Sequence, residues 1–170
     1  MKHVATFLLV VAVLAGLAPL VRSETYVSSE TKDAPGFDRM KSLVGEWRGK
    51  DSDGKVVDVS YSLTAGNTAV METLKMSDGA SMVTLYHSDG KRLMMTHYCL
   101  LGNQPRMQGA ADDRSLTFSF VDATNLPSRD APHMYKLVMR FPDKDHLTHE
   151  WTMRASGLDK TETFRFQRQK

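Results

Sequence analysis

The sequence predicts an all-β, antiparallel fold of about ten strands with one short N-terminal helix. Three observations lead there. Apolar residues recur at every second position in run after run, the runs are separated by tight-turn residues, and only one short segment shows helical spacing. Each strand therefore has an apolar and a polar face, which requires either a single sheet curled on itself or two packed sheets.

The helix comes first. Phe37, Met40 and Leu43/Val44 recur at helical spacing after Pro35, a favoured first-turn residue, and predict a helix over 35–43. Strands are then expected at about 44–50, 55–64, 68–76, 80–87, 91–99, 104–109, 115–121, 134–141, 146–154 and 160–168. Val57, Val59, Tyr61 and Leu63 alternate with Asp58, Ser60 and Ser62; Leu147, His149, Trp151 and Met153 alternate with Thr148, Glu150 and Thr152. Asp53-Gly54, Gly66-Asn67, Asp78-Gly79, Asp89-Gly90, Gly102-Asn103 and Ser156-Gly157 supply the positive-φ residues of tight turns. Short turns join antiparallel neighbours. The exception is Asp122–His133, with Pro127 and Pro132, long enough for a lid or binding loop.

Lys2 and His3 precede an apolar stretch from Val4 to Val21, the pattern of a secretory signal, with Val21-Arg22-Ser23 placing small residues before a cut after Ser23. The expected organisation is a signal peptide at 1–23, a flexible polar leader at 24–34 and a single domain at 35–170, with no transmembrane span after cleavage. Loss of Lys2 and Arg22 leaves 20 basic against 20 acidic residues. A neutral chain without a basic run has no electrostatic footprint for nucleic acid or anionic membranes. Cys99 is the single cysteine, so there is no disulfide framework and no multi-cysteine metal site, and no Asn-x-Ser/Thr glycosylation site follows residue 23. Export without either feature points to the periplasm or secretion, and to a bacterial cell envelope above all.

Gly45-Glu46-Trp47-Arg48-Gly49, at the start of an antiparallel meander, resembles the calycin group of lipocalins and fatty-acid-binding proteins. The resemblance implies an up-and-down β-barrel in which the tryptophan closes one end against the N-terminal segment. The strand layout is also similar to nitrobindin-type haem-binding barrels. There the iron-ligating histidine lies in the closing strand, whereas Thr161–Lys170 contains none. A closer resemblance is to a family of uncharacterised exported bacterial calycin-like β-barrels. It rests on Leu43–Gly49, Met82–His87, Thr96–Cys99, Gly102–Met107, Ala123–Leu126 and His149–Trp151, and covers most of the chain after residue 23. It implies the fold and carries no activity.

Candidate site residues follow from strand parity. His97 shares a face with Leu93, Met95 and Cys99, and His149 with Leu147, Trp151 and Met153, so both imidazoles are expected inside. There they either serve a ligand or bond internal partners in a filled core. Tyr61, Met95, Tyr135 and Trp151 complete the expected lumen contacts, and Arg106 is a candidate partner for a carboxylate head group because its guanidinium fork matches a carboxylate. His97, Cys99 and His149 are the metal candidates, and His97 with Cys99 the candidate thiol pair. No phosphate loop, nucleophile elbow or paired-carboxylate motif occurs. The expectation is an exported, non-catalytic barrel holding a small, mostly apolar or amphipathic molecule, with no cofactor required. The alternatives are a haem- or metal-binding barrel using the lumen histidines, a thiol-dependent enzyme, or a filled structural barrel.

Overall fold

The computed structural model describes residues 32–170. The expected signal peptide, and the leader up to Thr31, lie outside the described residues. Helix α1 (Phe37–Lys41) is followed by β1 (Gly45–Lys50), β2 (Val56–Thr64), β3 (Ala69–Lys75), β4 (Ser81–Asp89) and β5 (Arg92–Tyr98). Then come β6 (Gln104–Ala111), β7 (Ser115–Thr124), β8 (His133–Arg140), β9 (His146–Ala155) and β10 (Leu158–Arg168). All neighbours are antiparallel, and β1 pairs with both β2 and β10, so the sheet closes on itself as a ten-stranded barrel. Closure leaves the barrel no free sheet edge.

The buried residues follow the period-two pattern. Val57, Val59 and Tyr61 of β2, Leu93 and Met95 of β5, and Leu147, His149 and Trp151 of β9 all point inward. The helix caps one end. Phe37 and Met40 are fully buried. Arg39 donates to the carbonyls of Asp112 and Asp113 in the β6–β7 turn, and the Ala34 N–H donates to Ser88 near the β4–β5 turn. The last leader residue is therefore docked on the barrel. Gly36 precedes the helix at φ 89°, and a Cβ there would lie 2.7 Å from Leu116 Cδ2, so both conformation and space demand glycine.

Beside this cap, Trp47 Nε1–H donates to the Leu43 carbonyl (2.8 Å), and the Arg168 guanidinium lies 4.1 Å from the Trp47 ring centre. Arg168 also donates to the carbonyls of Ser42 and Val44. A Cβ on Gly49 would land on the Arg165 carbonyl, so β1 and β10 approach closely only because residue 49 has none.

Two irregularities change side-chain directions. In the β6–β7 ladder the register shifts between Arg106 and Met107, leaving Val121 unpaired. In the β8–β9 ladder it shifts between Met134 and Lys136, making Tyr135 a bulge. Strand β7 also runs on to Thr124, so the long loop is shorter than expected, at 125–132. The β7–β8 ladder ends at Ser119↔Lys136, and beyond it the two strands part.

Candidate functional site

The end of the barrel opposite α1 contains a cavity of about 130 Å³. It lies among the β3–β4 turn, the start of β8 and the β9–β10 hairpin. Met76, Met82, Met134, Met153, Leu74 and Phe164 form its walls. His97 and Trp151 are its buried polar members, and Lys160 and Glu162 stand at its more exposed side. An apolar cavity of roughly 150 Å³ accepts one benzene ring, so this space suits a single small ring and is far too small for a tetrapyrrole or a long acyl chain.

A polar belt crosses the interior beneath it. Tyr61 lies opposite Glu72, Glu72 opposite Thr84, and Thr84 opposite His97, so four adjacent strands contribute one residue each to a single row. All four are nearly inaccessible to solvent. The Thr84 hydroxyl lies 2.9 Å from His97 Nδ1 and donates to Glu72 Oε1 over a longer 3.4 Å. The Tyr86 hydroxyl donates to Glu72 Oε2 (2.9 Å). The Tyr61 hydroxyl lies 2.9 Å from His149 Nε2, extending the belt to β9.

Burial dominates the electrostatics. It raises the Glu72 carboxyl to about 7, although the hydroxyls of Tyr86, Tyr61 and Thr84 favour its ionised form. It pushes the imidazoles down, His97 to about 4 and His149 to about 3, so both are neutral at pH 7. Three buried polar atoms of this region have no hydrogen-bond partner among the described residues: His97 Nε2, Trp151 Nε1 and His149 Nδ1. The His97 and Trp151 rings pack against each other at 4.6 Å between centres.

The expected site residues divide. His97, Trp151, Tyr61 and His149 lie inside, the first two on the cavity and the others in the belt below it. Met95 is fully buried in the packed core and does not line the cavity. Tyr135 departs from the expected lumen position. The bulge gives the inward position to Met134, while Tyr135 lies in a separate side cleft of about 670 Å³ beneath the Arg154 guanidinium, 3.4 Å from its ring centre. Arg106 likewise lies on the outer face, exposed and engaged in two parallel hydrogen bonds with Asp122, so its fork is already occupied. Cys99 follows the end of β5 in the β5–β6 turn, and burial pushes its thiol pKa up, the opposite of what a thiolate nucleophile needs. Among the described residues, no three His, Cys, Asp or Glu side chains gather into a metal-holding group. No described helix is long and apolar enough to cross a membrane.

Glu72 and Thr84 were not expected from the sequence. Their signal is nonetheless there: Val70, Glu72, Leu74 and Met76 alternate, as do Met82, Thr84 and Tyr86, placing one polar residue at an inward position of each strand.

Comparison with solved structures supports the fold. Rv2717c from M. tuberculosis is similar over 81% of this chain and 99% of its own, with a TM-score of 0.54 at 16% identity. EF1p2_mFAP2b bound to DFHBI matches 76% of this chain and 95% of its own, with a TM-score of 0.35 at 11% identity, a remote likeness. No family model and no curated protein sequence matches. The ten-stranded antiparallel closure and the first of these likenesses fit a calycin-like barrel.

Proposed function

We propose that this is an exported barrel that binds one small, mostly apolar molecule in its end cavity and performs no chemistry on it. One observation carries the reading: a methionine-walled cavity of about 130 Å³ is lined by His97 and Trp151, and each of these keeps a buried polar atom with no partner among the described residues. Buried polar groups are ordinarily paired, and an unpaired one costs about 1–3 kcal/mol. A ligand contributing polar atoms at that place recovers this cost. Methionine walls suit such an occupant, because the unbranched thioether adapts to imprecise shapes and contacts aromatic rings favourably. The volume restricts the ligand to about one ring.

The test is calorimetric titration of the purified protein with toluene and, separately, with a long-chain fatty acid. Toluene binding that raises the melting temperature supports the reading. Fatty-acid binding without toluene binding overturns it. The export component is tested by N-terminal sequencing of protein from host culture. A start at or near Glu24 is expected, and retention of Met1–Ser23 in a membrane fraction overturns it.

A further inference from the structure

We infer that the preferred occupant of the end cavity is a neutral monocyclic phenol, its hydroxyl donating to His97 Nε2 and accepting from Trp151 Nε1–H. This rests on the cavity being a ligand site, and narrows the ligand class from the hydrogen-bonding inventory of the two orphaned atoms.

The indole nitrogen has a donor and no acceptor capacity, so whatever meets Trp151 must bring a lone pair. The role of His97 Nε2 is set by the belt. Thr84 has one hydroxyl proton, and two acceptors compete for it, Glu72 Oε1 at 3.4 Å and His97 Nδ1 at 2.9 Å. When Glu72 is ionised it is acceptor-only, and its charge draws that proton. The Thr84 oxygen then accepts from His97 at 2.9 Å, so the imidazole proton sits on Nδ1 and Nε2 carries the lone pair. The ligand must therefore donate to one ring and accept from its neighbour, and those rings are only 4.6 Å apart between centres. A hydroxyl is the smallest group that does both.

The rest of the molecule is read from the walls. Met76, Met82, Met134 and Met153 surround a volume close to that of a single aromatic ring and offer sulfur contacts to its edge. A carboxylate does not fit the same place. The neutral His97 supplies no positive charge, Glu72 is on the far side of Thr84, and Glu162 borders the cavity. Lys160, the basic residue lining the cavity, is exposed.

The test is titration of the full domain with phenol, anisole, toluene and benzoate at pH 8.5, where Glu72 is mostly ionised. Phenol should bind about tenfold or more tightly than anisole and toluene, with benzoate weakest. Anisole and toluene together make the decisive comparison: anisole keeps the ring and the acceptor but carries a methyl group in place of the donated proton, and toluene controls for a methyl group on the ring. In His97→Phe the advantage of phenol over toluene should shrink to within about twofold while toluene still binds. If that variant does not fold, Trp151→Phe should reduce the same advantage, and the wild-type phenol-to-anisole ratio needs no variant at all. Equal affinity for phenol, anisole and toluene overturns the phenol assignment and leaves the cavity as a binding site. Absence of binding by all of them overturns both.

Discussion

The Tyr61 hydroxyl lies 2.9 Å from His149 Nε2, joining β2 to β9 through the barrel interior across 88 residues of sequence. Among the described residues it is the only side-chain hydrogen bond of that imidazole, and the other nitrogen has no partner there. Tyr61→Phe should therefore cost about 1–3 kcal/mol, the penalty of a buried polar group left alone. His149→Phe in the same background should cost less than it does in the wild type, because both polar partners are then gone. Urea unfolding of the two single variants and the double variant checks this, and strictly additive costs would contradict it.

The acid limb of stability should carry the signature of the buried histidines. The unfolded chain takes up protons near pH 6.5 that folded His97 and His149 refuse until about 4 and about 3, so stability falls as pH drops below about 6.5. Glu72 acts in the opposite sense. Its folded carboxyl binds a proton at about 7, against 4.5 when exposed, so its share of the stability rises as pH falls from about 7 to 4.5. Each group contributes a slope of roughly 1.4 kcal/mol per pH unit. Between pH 6.5 and 4.5, two histidines against one glutamate leave a net loss of roughly that size per unit. Glu72→Gln should steepen this loss toward twice the value. Unfolding free energies at a series of pH values measure it, and a flat profile from 6.5 to 4.5 would show that the histidines are not held neutral.

Arg168 ties the closing strand to the helix end of the barrel through two carbonyls and the Trp47 face. Arg168→Ala should destabilise by about 2 kcal/mol, and Arg168→Lys should restore only part of the loss, because an ammonium cannot span both carbonyls and stack on the indole. Equal stability of the lysine variant and the wild type would refute the bidentate role.

Arg106→Ala should behave differently. Its exposed pair with Asp122 is worth less than about 1 kcal/mol, and the outer face does not meet the cavity. Stability and toluene affinity should both remain close to wild type in paired unfolding and titration measurements. A large loss of affinity would return Arg106 to the binding site.

Much of this architecture was legible in the sequence. Alternation placed His97, His149, Tyr61 and Trp151 inside, because a strand's side chains obey period two as long as its pairing is regular. The same rule misplaced Tyr135, since a one-residue bulge inverts parity and no residue near 135 announces it. Parity does not orient Arg106, because Pro105 permits a bulge beside it, and the partner that occupies its fork, Asp122, is 16 residues away. Glu72 and Thr84 escaped notice because each looks like an ordinary surface residue until its register is known. The belt exists only through three successive pairings, Tyr61 to Glu72 to Thr84 to His97, and pairing is a property of the closed sheet.

Closure also imposes an order in time. Among the described strands, nine of the ten pairings join consecutive segments, and β1 with β10 is the one that does not. Arg168 and Val44, which meet at that junction, are 124 residues apart. Bringing such distant segments together costs roughly 2 kcal/mol more chain entropy than closing a ten-residue hairpin. The junction therefore forms after the hairpins, and until it does β1 and β10 are bare edges able to pair with another molecule. The concentration at which refolding gives way to aggregation is thus governed by the lifetime of that open sheet, and Gly49 and Arg168, which shape the junction, should influence refolding yield more than their effect on final stability suggests.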